Sequence, residues 1–366
     1  MGKSMLVNMN DILLPAKEGK YGVGFFNAVN VEMARAIIET AEELQAPVMV
    51  GTAEVLLPAT ELNLVADYLI PMAKKASVPV CVHYDHGLTF ERCMEALKLG
   101  FTSVMYDCST VSYEENVERV AEMVKICHAM GVTVEAELGH VGDNAGAGKL
   151  ENPEDYYTDP DTALDYITRT GADSLAVAVG NAHGDYAFPP KLDFDRIDVI
   201  SKKVNIPLVL HGGSGLADND FRQAVQLGVS KVNIFTDIDK AGKAGVEAGI
   251  AAGERTMMGL IPYEIDAMKK VVARGPVAAA SAETAPATAA PVAKPQAIPN
   301  AVSVAELVSP ITGDVVALDQ VPDEAFASKA VGDGVAVKPT NKIVVSPAAG
   351  TIVKIFNTSH EFCLET

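Results

Sequence analysis

The chain has 366 residues, 49% of them apolar and 21% charged. That balance suits a folded globular protein and excludes wholesale disorder, collagen-like repeats and a long coiled coil. The net charge of −19 repels phosphate backbones and argues against nucleic acid as a partner, though a metal or a nest of backbone N–H groups can still hold a small phosphorylated molecule. No apolar run approaches the roughly 18 residues of a membrane span. The first twenty residues lack the apolar core of a signal peptide. Leu6 stands where a myristoylation pattern needs Ser or Thr. The five cysteines, Cys81, Cys93, Cys108, Cys127 and Cys363, form no CxxC pair, so free thiols in the cytoplasm are expected, mostly as small buried apolar groups.

Taken in chain order, residues 1–274 alternate short β-branched runs with amphipathic ones. Strands are predicted at 22–26, 47–51, 79–84, 102–106, 132–138, 173–179, 207–210 and 230–235. Helices are predicted at 31–44, 90–100, 113–131, 159–171 and 218–228 among others, with Gly100, Gly131, Gly171 and Gly228 placed to end them. Eight strands in about 250 residues fit a (β/α)8 TIM barrel, an α/β fold, better than an open doubly wound sheet. No GxGxxG fingerprint follows the first strand, which weakens a dinucleotide reading. Residues 275–301, nearly all Ala, Pro, Thr and Ser where the bias is strongest, read as a linker. Residues 302–366 are a separate tail.

Nearly every predicted strand ends in a group able to do chemistry: Asn27, Thr52, Asp85 with His86, Asp107, Glu137, His183, His211 and Asn233. In a parallel barrel these ends converge on one mouth, where active sites lie. His86, His183 and His211 each precede a glycine, and three imidazoles with an open position make up a catalytic zinc site. His83, three residues before His86, is expected to pack or hydrogen-bond, His128 to sit exposed on a helix, and His140 to lie in a loop. Asp85 can orient a metal ligand or move a proton. Asp107 also reads as a helix cap, and of Glu135 and Glu137, which share a strand face, one is expected to be structural. HGGSGL at 211–216 is a glycine-rich turn suited to an anion, and NIFTD at 233–237 ends the next strand. Phosphate commonly binds at the loops after the seventh and eighth barrel strands, so a phosphorylated substrate is expected.

The motifs VHYDHG, SVMYDCS, VEAELGHVG, AVAVGNAHG, LVLHGGSG and KVNIFTD stand in order across residues 1–274. In them the chain resembles the class II, metal-dependent ketose-bisphosphate aldolases of the fructose- and tagatose-bisphosphate group. The resemblance implies a TIM barrel, usually dimeric or tetrameric, holding Zn2+ through His86, His183 and His211. It implies that Asp85 exchanges the hydroxyl proton at the bond made or broken. Gly184, Gly212, Gly213, Ser214, Asn233, Ile234, Phe235 and Thr236 would hold dihydroxyacetone phosphate, often beside a monovalent cation. Asp107 and Glu137 would form a second, alternative metal position. Cleavage of fructose- or tagatose-1,6-bisphosphate would give dihydroxyacetone phosphate and glyceraldehyde 3-phosphate through a metal-stabilised enediolate.

Two departures from the family stand out. The acid that moves the carbon-bound proton has two candidates here, Asp143 and Glu151, within GDNAGAGKLENPEDYY. The family's Asp-Pro-Arg clamp on a distal phosphate is replaced by GERTMMGLIP, leaving Arg255 as the cation near the matching place and a ketose 1-phosphate as an alternative substrate. The tail resembles the start of the glucose-type enzyme IIA component of the bacterial sugar phosphotransferase system, an all-β domain here partial. His360 matches the first of that family's paired histidines, and the second lies beyond residue 366. A phosphocarrier or regulator, with phosphotransferase-system proteins as partners of a completed tail and the barrel as passenger, is the rival reading. A metal-dependent barrel hydrolase is a third, with less use for two phosphate-gripping loops.

Overall fold

The computed structural model describes residues 4–141, 156–184 and 191–274, together with four strand segments of the tail. The chain divides into two units, Met1–Ala289 and Ala290–Thr366. In the first unit the strands are β1 (Leu6–Val7), β2 (Val23–Asn27), β3 (Val48–Ala53), β4 (Val80–Gly87), β5 (Ser103–Tyr106), β6 (Thr133–Leu138), β7 (Ser174–Val177), β8 (Leu208–Leu210) and β9 (Val229–Ile234). The helices are α1 (Asn10–Gly19), α2 (Val31–Glu43), α3 (Leu62–Lys75), α4 (Phe90–Leu99), α5 (Tyr113–Ala129), α6 (Pro160–Thr170), α7 (Phe194–Val204), α8 (Asp218–Gln226), α9 (Thr236–Ala251) and α10 (Met257–Arg274).

Strands β2 to β9 pair in parallel, each with the next, and β2 pairs with β9, so the sheet closes into the expected eight-stranded barrel. β1 is an extra strand laid parallel on β4. The sequence read the eight barrel strands to within a few residues. The helices start where capping side chains sit: Asn30, Thr89, Ser112 and Asp159 each accept the backbone N–H three residues on. They stop where expected, with Gly100 and Gly171 at the C-caps and Gly131 and Gly228 one residue later, all at positive φ.

Strand alternation divides the apolar residues into two cores. Outward residues such as Phe26, Val82 and Val104 pack under the helices. Inward residues Val23, Phe25, Met49 and Cys81 pack with Met9, Ile12, Leu13 and Ala16 of α1 and its approach. Sequence reading assigned no helix there, yet α1 plugs the end of the barrel opposite the mouth. Ser103 and Ser174, at the starts of β5 and β7, both turn their hydroxyls to Met9 Sδ. Cys81, Cys93, Cys108 and Cys127 are free and buried, as expected.

The last two helices depart from simple barrel alternation. α9 packs chiefly on α10, and α10 packs on α2. Glu264 of α10 engages Asn30, the cap of α2, while Lys269 reaches Glu39 and Glu43 further along it. α10 thus runs beside α2 as a barrel helix does, and α9 is an arm leaving the mouth. In the tail, β10 (Ile311–Ala317) pairs antiparallel with β11 (Val335–Val344), and β12 (Thr351–Ile355) with β13 (Phe362–Glu365). The linker, His360, Asp143 and Glu151 lie outside the described residues.

Candidate active site

The strand ends meet as the sequence predicts. His86, His183 and His211, from the ends of β4, β7 and β8, bring one ring nitrogen each to within 4.8 Å of one another. Their rings stand edge to face or tilted, with centroids 4.6 to 5.5 Å apart. A bulge makes this possible. The β4–β5 register shifts between Tyr84 and Gly87, and His86 takes φ 42°. In a regular strand Asp85 and His86 would point to opposite faces. The bulge turns both consecutive side chains to the mouth.

Carboxylates fix the ring orientations. His86 Nδ1 lies 2.8 Å from Asp107 Oδ2, leaving Nε2 buried with no hydrogen-bond partner among the described residues. Asp107 Oδ1 meanwhile accepts the Ser109 N–H in the loop before α5, whose cap is Ser112, so Asp107 braces a turn and caps no helix. His211 Nε2 lies 3.0 Å from Glu135 Oε1, leaving its Nδ1 buried and unpartnered, 3.5 Å from Glu137 Oε2. Glu137 Oε2 is likewise without a partner, while Oε1 accepts the Val141 N–H. His86, Asp107 and Glu137 form a second group of converging ligand atoms, at the alternative position the resemblance implied. Orphaned buried imidazole nitrogens beside carboxylates are the donor set of a divalent metal such as zinc, so the residues fit that group.

The three histidines differ in their electrostatic settings. Burial pulls His86 down, but the surrounding carboxylates, Asp85 first, outweigh it and raise its pKa to about 10. Burial, then the charge on His86, lowers His183 to about 3, and the same two causes lower His211. Burial and then Asp107 push Glu137 up to about 8.

Asp85 has a different setting. Asn27 Nδ2 donates to its Oδ2 at 3.0 Å and Asn233 Nδ2 to its Oδ1 at 3.1 Å. Burial opposes ionisation, but His86, Lys231 and His211 hold the carboxyl well below the usual range. Its imidazole contact among the described residues is His83 Nε2, 3.8 Å away, while the carboxylates that meet the rings of His86 and His211 are Asp107 and Glu135. Both asparagine Oδ1 atoms are buried acceptors without a partner among the described residues. Asn233, expected at the phosphate loop, thus also positions the carboxylate. His83 packs edge-on to Phe25 and hydrogen-bonds Ser103, as expected. His128 is half-exposed on α5 and meets Asp173 at 2.8 Å, and His140 contacts Ser109 in its loop.

Lys231 escapes sequence reading, and Glu135 is read only as sharing a strand face with Glu137. Glu135 is as buried as Glu137 and braces His211, and Lys231, fully buried on β9, meets both Glu135 oxygens at 2.8 and 3.0 Å. Period-two alternation with Asn233 was the available signal, since it turns Lys231 into the barrel.

The phosphate-loop residues also converge. The Gly213 N–H donates to the Asn233 carbonyl, Gly215 N–H to Asp237, and the Asp237 N–H to Ser214 Oγ. The turn after β8 is thereby tied to Asn233, Ile234, Phe235 and Thr236 at the start of α9. Gly212 has φ 65°, and a Cβ there would lie 2.0 Å from the Ala182 carbonyl oxygen, so glycine lets this turn approach the one carrying His183 and Gly184. Arg255, which the sequence offers either as a distal-phosphate clamp or as an exposed residue near a helix end, is exposed just past α9, whose 16 residues span about 24 Å.

Comparison with known proteins agrees with this geometry. Residues 305–366 match the family model described as phosphoenolpyruvate-dependent sugar phosphotransferase system, EIIA 1. The uncharacterized protein YdjI of Escherichia coli (strain K12) is 40% identical over 232 residues, 62% of this chain and 81% of that protein. The crystal structure of the YdjI aldolase from Escherichia coli K12 aligns with a TM-score of 0.65 at 34% identity, covering 73% of this chain and 94% of that one. A fructose-bisphosphate aldolase structure from Campylobacter jejuni aligns with a TM-score of 0.63 at 24% identity, over 74% of this chain and 94% of that one, a likeness of fold. Residues 7–283, the barrel and its mouth included, match the model for fructose-bisphosphate aldolase class-II, and the chain belongs to that family.

Proposed function

We propose that the barrel is a zinc-dependent aldolase that cleaves and forms a ketose phosphate, releasing dihydroxyacetone phosphate and an aldehyde. The observation that carries this reading is the meeting of His86, His183 and His211 beside an ionised Asp85 clamped by two amides. Bound by those histidines, zinc supplies Lewis-acid polarisation of the substrate's carbonyl and neighbouring hydroxyl oxygens. The carbon freed by cleavage takes up a proton, for which Asp143 and Glu151 are the two candidates, and the chain's other groups do the rest. Asp85 accepts the hydroxyl proton as the carbon–carbon bond breaks and returns it in synthesis. Asn27 and Asn233 hold each carboxylate oxygen on one side, which fixes the direction of that transfer. Gly184, Gly212–Ser214 and Asn233–Thr236, at the positive end of α9, hold the phosphate. A monovalent cation beside that phosphate and assembly into a dimer or tetramer belong to the same proposal.

Fructose- or tagatose-1,6-bisphosphate, yielding glyceraldehyde 3-phosphate, is the first substrate reading. The exposure of Arg255 just past α9 favours a second, a ketose carrying phosphate on carbon 1 alone. A cleavage screen of ketose 1-phosphates against 1,6-bisphosphates, with chelated and zinc-restored protein, separates the two. Full activity after exhaustive chelation, with metal content measured as negligible, would sink the metal-dependent reading.

A further inference from the structure

We propose that Glu135 and Lys231 are a positioning pair for the metal site, fixing His211 so that Nδ1, and not Nε2, faces the three-histidine cluster. The inference rests on the metal-dependent reading and deepens it.

Lys231 and Glu135 come from β9 and β6, with β8 and β7 between them, so their contact crosses the barrel interior. Both side chains are wholly buried. Lys231 places Nζ 2.8 and 3.0 Å from the two Glu135 oxygens and 4.5 Å from the centroid of the Phe25 ring. A pair this deep costs desolvation that its attraction rarely exceeds, and apolar replacements are often as stable. Stability alone is therefore a poor reason for it.

The third contact supplies a reason. Glu135 Oε1, already holding Lys231, also lies 3.0 Å from His211 Nε2. A carboxylate paired with an ammonium can only accept, so His211 must carry its hydrogen on Nε2. The lone pair is then on Nδ1, the nitrogen left unpartnered on the cluster side. His86 is set the opposite way, because Asp107 takes its Nδ1 and leaves Nε2. The site thus presents different nitrogens from two histidines, each chosen by its own carboxylate. Asp107 is held by the Ser109 N–H in a surface turn. Glu135 has no turn to brace it, and Lys231 fills that role from across the barrel. Ser174 Oγ, 3.4 Å from Oε2, adds a weaker hold.

The test uses the full chain and reads metal binding directly. Zinc affinity is measured by competition with a chromophoric chelator, and the Co2+-loaded protein is compared by its visible spectrum. The double variant Glu135→Leu/Lys231→Met removes the charges together and keeps the interior filled. It should fold, bind zinc about 10–100-fold more weakly, and shift the Co2+ bands, the usual effect of losing a carboxylate behind a ligating histidine. Unchanged zinc affinity and an unchanged Co2+ spectrum would overturn the inference. If the double variant does not fold, the near-isosteric Glu135→Gln carries the same two expectations and the same refutation. Failure of the wild-type protein to bind zinc or Co2+ at all is a separate result, which overturns the metal-dependent reading itself.

Discussion

Removing the metal should make the stability of the barrel fall as pH rises from 6.5 to 8. Burial, then Asp107, raises the Glu137 carboxyl from 4.5 to about 8. His86 is opposed by burial, but Asp85, Asp107 and Glu137 raise it from 6.5 to about 10. In the unfolded chain both groups return to their ordinary values. Between pH 6.5 and 8 the folded chain then holds up to two more protons than the unfolded one. A group whose folded pKa is raised gives stability that is complete below its unfolded value and lost as pH climbs through the folded one. Stability must therefore decline with pH in this window, at about 1.4 kcal/mol per proton per pH unit, for a ceiling of about 4 kcal/mol. His83, His183 and His211 have lowered values and are half-protonated in the unfolded chain at pH 6.5, so they offset part of the decline at the lower end of the window and little of it above about pH 7.5. Denaturant titrations of chelator-treated protein at pH 6.5, 7.2 and 8 read the effect. Zinc should flatten the slope, because a ligating His86 has already given up its proton. A metal-free protein equally stable at both ends of the window, or more stable at pH 8, would refute the charge assignment of the site.

Three substitutions bear on the catalytic reading. Asp85→Asn should lower turnover by about 100-fold or more while zinc content by atomic absorption stays at the wild-type level, since the three histidines are untouched; loss of zinc would make Asp85 a ligand or its support. Asn27→Ala removes a hydrogen bond to the charged Asp85 and should cost about 10–100-fold in kcat with KM little changed; a change confined to KM would assign Asn27 to substrate binding alone. Gly212→Ala forces a Cβ against the Ala182 carbonyl at a left-handed φ, and should lower Tm and raise KM together; wild-type values for both would show that the two turns move apart freely.

The barrel was legible because its signals are local. Each predicted strand carries its own β-branched run, and several helix ends their own cap or glycine, as Thr89 and Gly100 do around α4. What local pattern could not give is what depends on the chain's return. α1 looks like any short amphipathic segment until its apolar side meets Met49 and Cys81 inside the barrel. Whether Arg255 stands at the mouth or past a helix end depends likewise on α9 and α10, which sequence reading did not delimit and which pack chiefly on one another and on α2.

The site divides along the same line. Three histidines before glycines at strand ends could be found one at a time, and so could Asp85, Asp107 and Glu137. The tautomers of His86 and His211 could not, because each depends on a carboxylate from another strand, 21 and 76 residues away. Nor could alternation explain how Asp85 and His86, adjacent in sequence, serve one mouth, since that requires the bulge and the left-handed His86. Period-two reasoning placed Glu135 and Glu137 on one face and expected one of them to be structural. The barrel gives them opposite settings. Glu135, beside Lys231 and His211, is held down to about 2, while Glu137, beside Asp107, rises to about 8. Two carboxylates two residues apart are thus driven to different charge states by partners from β5, β8 and β9, and that divergence lets one brace a histidine while the other stands ready to receive a cation.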